Sequence, residues 1–92
     1  MIISFKDKDT EKLFHYQSVK RFKSYERIAL RKLTQLDVAL ILSDLKVPPG
    51  NRLETLKGDR EGQHSIRIND QFRICFVWTL NGPESVEICD YH

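Results

Sequence analysis

The chain ends on Asp90-Tyr91-His92, an acid, a phenol and an imidazole that follow a short segment of β-strand pattern. The acid and the imidazole can exchange protons with a substrate, and a tyrosine ring can also stack on a nucleobase. A terminus is usually the least ordered part of a domain. Because three residues of these types close the chain, we expect this end to be held in place for chemistry. The alternative is that a small domain ends on these residues by chance.

Two arginines on neighbouring predicted strands are the second group suited to chemistry. The register that keeps apolar residues on one face of the sheet places Arg67 opposite Arg73. Like charges at directly opposite positions are unfavourable, and a bound phosphate would offset the repulsion because guanidinium groups match phosphate geometry. The alternative is two solvated arginines that lean apart or pair with Asp70 or Glu87.

The same rule predicts how the last strand joins this row. Pairing Phe76 with Ile88 keeps the apolar residues together and places Arg73 opposite Tyr91. Strict alternation then turns Asp90 and His92 toward the apolar face, where an unpaired charge is costly. Either the strand ends or twists near residue 90, or these two residues sit at the open end of the sheet.

Two helices are predicted ahead of the strands. The first begins near Asp9 or Thr10, with Leu13 and Phe14 as its core contacts. The second has Ser24 as its predicted N-cap and ends before the proline- and glycine-containing segment 47–51. Its apolar residues recur at heptad spacing: Ala29, Leu33, Leu36 and Leu40. The polar, basic residues 17–24 are predicted to link the two helices.

The hydrophobic period changes to two in the second half of the chain. Apolar and polar residues alternate around 65–68, 72–78 and 86–89, and Asn69-Asp70 and Asn81-Gly82-Pro83 are turn signals between these runs. Residues 2–5 add a short apolar strand candidate. The order β-α-α-β-β-β-β predicts an α+β fold, with two N-terminal helices on one face of a mainly antiparallel sheet of four to five strands.

Length and composition predict one ordinary globular domain over residues 1–92, since 40% of the residues are hydrophobic and 30% are charged. The net charge of +2 is unevenly distributed. Residues 20–32 carry six basic side chains and one acidic one, whereas residues 74–92 carry three acidic side chains and no Lys or Arg. This asymmetry is compatible with a polyanion on one face; a solvated helix face explains the basic cluster equally well.

No apolar run approaches the roughly 20 residues that span a bilayer, and the start of the chain lacks a signal-peptide core. We expect a cytoplasmic protein that does not associate with a membrane. Cys75 and Cys89 are then expected to be thiols, and neither has the spacing of a metal site. The pattern predicts neither a metal nor another cofactor.

Several segments together carry a family resemblance: MIISFK at the start, EKLF at 11–14, NRLETLKGDREG at 51–62, SIRINDQFRICF at 65–76 and the terminal DYH. They resemble the HigB toxins of the RelE/ParE superfamily, often called plasmid-maintenance killer proteins. The resemblance covers nearly the whole chain. It implies a microbial-ribonuclease-like fold, ribosome-dependent cleavage of messenger RNA, and neutralisation by a helix-turn-helix, HigA-like antitoxin in a hetero-oligomeric complex.

The resemblance also implies roles for individual residues. By position it gives catalytic roles to Asp90, Tyr91 and His92, a contact with the scissile phosphate to Arg73, and places near the RNA to Lys57 and Arg60. Some HigB sequences have an active-site histidine where this chain has Glu54. The identity of the general base is therefore open.

A ribonuclease that uses no metal needs a base for the 2′-hydroxyl, a cation for the phosphorane and an acid for the 5′-oxygen. Arg73, aided by Lys57 or Arg67, is the predicted cation. His92 is the predicted proton carrier because an imidazole titrates near neutrality. Either Glu54 or Asp90 acts as the base or orients His92. Two rival functions are a superfamily toxin that poisons DNA gyrase through protein contacts, and an RNA-binding module without catalysis.

Overall fold

The computed structural model describes residues 1–90 as two helices packed on a four-stranded sheet. The helices are α1 (Lys8–Phe14) and α2 (Glu26–Val38), and the strands are β1 (Glu54–Thr55), β2 (His64–Arg67), β3 (Phe72–Thr79) and β4 (Gly82–Asp90). Four 3-10 turns lie in the connections, at Lys20–Tyr25, Leu42–Lys46, Pro49–Asn51 and Gly58–Arg60. The strand order is β1-β2-β3-β4 and each neighbouring pair is antiparallel, which confirms the predicted α+β fold.

The hydrophobic core lies between the sheet and α2. Alternate residues of the strands supply one side, namely Ile66, Ile74, Phe76, Val86 and Ile88. Ala29, Leu33 and Leu36 supply the other and are completely buried, as their spacing predicts. Burial of each large side chain stabilises the fold by about 1.5–3 kcal/mol. In α1, Leu13 is buried and Phe14 packs against the core. Asp7 is the N-cap of this helix, and its carboxylate accepts the backbone N–H of Thr10.

The connections around α2 differ from the predictions. Residues 17–24 are not a plain polar linker, because a 3-10 turn there buries Phe22 and places Tyr25 at the position before α2 that Ser24 was predicted to hold. Leu40 is 87% exposed and lies beyond the helix, so its predicted core role is wrong. The Asp44 carboxylate accepts the backbone N–H of Leu40 at 2.9 Å, which offers that amide an alternative to the helical ladder.

Residues 2–5 run beside β4 without becoming a full strand. Phe5 forms a single parallel bridge with Val86, and the Ile3 amide donates to the Pro83 carbonyl at 2.8 Å. Gly82 has φ +131°, and a Cβ at this position would collide with the Met1 carbonyl oxygen. The start of the chain therefore packs directly against the beginning of β4.

The register between β2 and β3 is as predicted: Ile66 faces Ile74 and Arg67 faces Arg73. The predicted register between β3 and β4 is wrong by two residues, because Arg73 faces Cys89 and not Tyr91. The hairpin accounts for the shift, because it turns at residues 80–81, earlier than predicted. An irregularity between Cys75 and Val77 then moves the pairing back by one residue, which leaves Arg73 opposite Cys89.

Within residues 1–90, none of the helices is both long enough and apolar enough to cross a membrane.

Candidate active site

The face of the sheet that points away from the helices carries the candidate site. Ser65 on β2 and Arg73 and Cys75 on β3 share this face, since directly paired residues point the same way. Ser65 and Cys75 are completely buried and Arg73 is only 9% exposed. This is unusual for the face opposite the core, and it makes Arg73 a buried cation.

Arg73 is held by neutral oxygen atoms. Its Nε donates to the Ser65 hydroxyl at 2.7 Å, and its Nη2 donates to the Arg52 carbonyl at 2.6 Å and to the Ser65 carbonyl at 3.5 Å. None of its hydrogen bonds within residues 1–90 uses Nη1. Two sides of the guanidinium are thus fixed, and one pair of N–H donors is left for another partner.

The Arg52 carbonyl is positioned by a conformation that few residues adopt. Arg52 has φ +46° and ψ +56°, in the left-handed region, directly after the 3-10 turn Pro49–Asn51. Asn51 anchors that turn: it is fully buried, its Nδ2 donates to the Leu45 carbonyl at 3.0 Å, and its Oδ1 accepts from the Lys32 ammonium. Helix α2 therefore contributes to the placement of Arg73: Lys32 holds Asn51, and Asn51 anchors the turn that precedes Arg52.

Glu54 is the acidic side chain nearest to Arg73 among the ion pairs of residues 1–90. Its Oε1 lies 3.8 Å from Arg73 Nη2, and its side chain is 51% exposed. A contact that long to a solvated carboxylate compensates a buried charge weakly. The structure thus brings the candidate base and the candidate phosphate ligand together, and it leaves the guanidinium with most of its positive charge available to an anion.

The other predicted cations are placed differently. Arg67 pairs with Asp70, the alternative that the sequence had left open. Arg60 donates to Glu87 at 3.0 Å, and this hydrogen bond raises the pKa of Arg60. Lys57 is exposed, directly before the turn that contains Arg60. Of these three, Lys57 is the side chain that a bound strand can reach most easily.

Asp90 lies at the end of β4 and is exposed. It pairs with Phe72, so its side chain leaves the sheet on the face opposite that of Arg73, and it accepts a hydrogen bond from the Gln71 amide at 3.0 Å. The Tyr25 ring stacks on Phe72 with centroids 4.5 Å apart. Burial raises the pKa of Tyr25; Arg21 opposes this shift and Asp90 adds to it. The prediction of an open sheet end thus describes Asp90, while Tyr91 and His92 lie outside the described residues.

Cys75 and Cys89 are free thiols, as predicted, but they are diagonal neighbours because Cys75 faces Glu87. The two sulfur atoms are in contact. A hydrogen bond to Cys89 and burial raise the pKa of Cys75. The hydrogen bond that Cys89 accepts from Cys75 lowers the pKa of Cys89, and the charges of Arg60 and Arg73 act in the same direction.

The sequence does not predict the contributions of Ser65 and Lys32 to the site, nor those of Asn51 and the Arg52 carbonyl. Ser65 sits two residues before Arg67, so alternation could have placed it on the arginine face. Lys32 was treated as one of the cluster at 20–32, yet it is partly buried against Asn51. Burial lowers the pKa of Lys32, and the charges of Arg31 and Arg67 lower it further.

No group of three or more His, Cys, Asp or Glu side chains that could hold a metal ion occurs within residues 1–90.

Comparison with known proteins identifies the class. The family model of the RelE-like toxin HigB of type II toxin-antitoxin systems matches residues 3–92. The Toxin HigB-1 of Vibrio cholerae is 45% identical over 82 residues, which cover 85% of this chain and 84% of that protein. The chain therefore belongs to the HigB-like family of RelE-like toxins of type II toxin-antitoxin systems.

Solved structures show the same fold. A chain of the YoeB-YefM complex from Staphylococcus aureus superimposes with a TM-score of 0.63 at 22% identity, over 100% of this chain and 95% of that one. The YoeB dimer from the same organism gives a TM-score of 0.57 at 21% identity, over 99% of this chain and 94% of that one. At these identities the similarity concerns the arrangement of helices and strands.

Proposed function

We propose that this toxin is an endoribonuclease that cuts messenger RNA on the ribosome without a metal ion or other cofactor. The observation that carries the proposal is Arg73: a buried guanidinium held by a hydroxyl and backbone carbonyls, whose one ion pair within residues 1–90 is a long contact to a carboxylate. Keeping such a charge away from water is costly unless an anion compensates it. A phosphodiester supplies that anion, and Nη1, which makes no hydrogen bond within the described residues 1–90, is suited to bind it.

In the proposed reaction the 2′-oxygen attacks the phosphorus and the bond from phosphorus to the 5′-oxygen breaks. A base takes the proton of the 2′-hydroxyl, and an acid gives a proton to the departing 5′-oxygen. The products carry a 2′,3′-cyclic phosphate and a 5′-hydroxyl. Arg73 stabilises the charge that develops on the phosphorane oxygens, which a preorganised donor does most effectively where water is excluded.

The proton-transfer groups are assigned by proximity and by the family resemblance. Glu54 is the proposed base because it lies beside the guanidinium that would hold the phosphate. His92 is the proposed acid, Tyr91 is the proposed stacking partner of a base, and Asp90 is proposed to orient the terminus. Lys57 is proposed to contact the RNA backbone, and Arg67 adds positive charge opposite Arg73.

Dependence on the ribosome follows from how open the site is. Glu54 is half exposed and Lys57 is exposed, so this side of the site does not enclose a strand. Holding a flexible RNA in line for attack is worth several kcal/mol of barrier. We propose that the ribosome supplies this positioning, that the toxin acts in the cytoplasm, and that a HigA-like helix-turn-helix antitoxin binds and neutralises it.

The test combines growth with transcript mapping. Expression of the wild-type chain should stop growth and produce new transcript ends within coding regions, and the purified protein should cut messenger RNA when ribosomes are added. A chain with Arg73→Gln, which keeps a polar side chain with N–H donors and loses the charge, is the matched control. Accumulation of gyrase-bound DNA breaks without new transcript ends would favour the gyrase poison, and growth arrest without either would favour RNA binding without catalysis.

A further inference from the structure

We propose that Ser65 is a positioning residue for the cleavage reaction, and that it acts by holding Arg73 in the conformation that binds the scissile phosphate. This inference rests on the proposed function. Ser65 is completely buried, and its hydroxyl accepts the Nε–H of Arg73 at 2.7 Å. The hydroxyl does not reach the substrate itself, because the guanidinium lies against it.

The geometry fixes both ends of one guanidinium edge. Ser65 holds Nε, and the Arg52 carbonyl holds Nη2 at 2.6 Å. A planar group held at these two atoms cannot rotate about its long axis, so the direction of Nη1 is set before any substrate arrives. An unrestrained arginine side chain loses rotamer entropy when it binds a ligand. The two contacts remove most of that loss in advance.

The chemical type of residue 65 matters as much as its position. A carboxylate on β2 would also accept the Nε–H, but it would neutralise the guanidinium and compete with phosphate. A hydroxyl accepts the hydrogen bond and leaves the charge in place. The Arg52 carbonyl does the same, and the left-handed conformation of Arg52 turns it toward Arg73. The Ser65 hydroxyl and the Arg52 carbonyl therefore orient the guanidinium without neutralising its charge.

The experiment compares Ser65→Ala with Ser65→Thr, which keeps the hydroxyl on a residue suited to strands. Both are made in the wild-type chain and in the Arg73→Ala chain, and kcat and KM are measured for messenger RNA cleavage on ribosomes. Loss of one hydrogen bond to a charged group should lower kcat about tenfold in Ser65→Ala, with little change in KM. Ser65→Thr should restore most of that loss, and Ser65→Ala should have no further effect once Arg73 is absent.

A second readout does not depend on activity. The Nε–H of Arg73 should give a distinct, slowly exchanging NMR signal in the wild-type chain and in Ser65→Thr, and a rapidly exchanging one in Ser65→Ala. Thermal unfolding of each variant establishes that the chain remains folded.

The possible failures can be distinguished. Full cleavage by Ser65→Ala, or an equal tenfold loss in the Arg73→Ala background, would overturn the positioning role and leave the nuclease assignment standing. Loss of activity in Ser65→Thr with its Nε–H signal intact would also overturn it. If the wild-type chain cuts no RNA on ribosomes, the proposed function fails first, and the catalytic meaning of Ser65 fails with it.

Discussion

Arg60 and Arg73 are two poorly exposed arginines with opposite surroundings. Arg60 donates to the Glu87 carboxylate at 3.0 Å and to the Gln63 side-chain oxygen at 3.1 Å. Arg73, whose side chain is 11% exposed, donates to a hydroxyl and to carbonyls. Glu87 belongs to the same sheet face as Arg73, because it pairs with Cys75. The Glu87 carboxylate therefore lies on the same face as Arg73 but pairs with Arg60.

This difference separates a structural cation from one available to a ligand. A partly buried arginine paired with a carboxylate has its charge satisfied, and removal of either partner is costly. Arg73 is oriented by neutral acceptors, and within residues 1–90 its charge is compensated weakly, by a long contact to the half-exposed Glu54, which favours a bound anion. Buried cations on a nuclease candidate can thus be ranked by the charge of their partners as well as by their exposure.

The largest effect is expected at Arg73. Removal of one preorganised donor from a phosphoryl transition state commonly costs a factor of about 10² to 10³ in kcat, so Arg73→Ala should lose nearly all cleavage while staying folded. Arg73→Lys keeps the charge but not the planar group that Ser65 and the Arg52 carbonyl hold, and it should remain strongly impaired. Wild-type cleavage by well-folded Arg73→Ala would remove the distinction between the two arginines.

The next effect tests which carboxylate acts as the base. Glu54→Gln preserves shape and removes the proton acceptor beside Arg73, so it should lower kcat by about 10²-fold, as loss of a general base commonly does. Asp90→Asn is the matched substitution on the opposite face, and we expect it to cost less. Measurement of kcat for both variants on ribosome-bound messenger RNA decides the order. A larger loss in Asp90→Asn would move the base to the end of the sheet.

Arg60→Ala should affect stability and leave chemistry almost unchanged. The variant breaks a partly buried ion pair, which is worth about 1–2 kcal/mol, between the values for exposed and fully buried pairs. Urea unfolding measures this loss, and Glu87 keeps its contact with Lys6 at 3.4 Å. The kcat of the folded fraction should stay near the wild-type value. A large loss of cleavage without a loss of stability would instead support the RNA-contacting role that the family resemblance implies.

The smallest effect concerns the Cys89 thiol, whose pKa responds to the positive charges of Arg60 and Arg73. The hydrogen bond from Cys75 lowers the pKa of Cys89, and Arg60 contributes more to the lowering than Arg73. Iodoacetamide should therefore label Cys89 at a lower pH in the folded chain than in the urea-unfolded chain. Each substitution of arginine by alanine removes a positive charge that favours the thiolate, so the labelling midpoint should rise, and more in Arg60→Ala. Identical midpoints in all folded chains would contradict this view of the electrostatics.

The sequence predicts the fold where local patterns decide it. Alternation of apolar residues predicts the pairing of Ile66 with Ile74, and with it Arg67 opposite Arg73. The heptad of α2 predicts three of its four core residues. Leu40 fails because the Asp44 carboxylate, four residues later, competes for its amide. That competition depends on the path of a loop, which periodicity does not describe.

The site is predicted less completely because its geometry comes from distant parts of the chain. Arg73 can be selected from its residue type and strand, but its contact with the Arg52 carbonyl spans 21 residues. That contact requires Asn51 to be buried against α2, and no local pattern signals it. The β3–β4 register is misplaced because the hairpin turns earlier than predicted; an irregularity between Cys75 and Val77 then moves the partner of Arg73 by one residue, to Cys89.

We propose that the toxin cuts RNA by transesterification at a phosphate held by Arg73. The most direct measurement is the chemistry of the new ends after cleavage of ribosome-bound messenger RNA by the purified wild-type chain. Transesterification leaves a 5′-hydroxyl on one fragment and a 2′,3′-cyclic phosphate on the other, whose 3′ end becomes extendable by poly(A) polymerase only after the phosphate is removed. Fragments with a 5′-phosphate and a free 3′-hydroxyl would mean that water attacked the phosphorus, and would exclude transesterification.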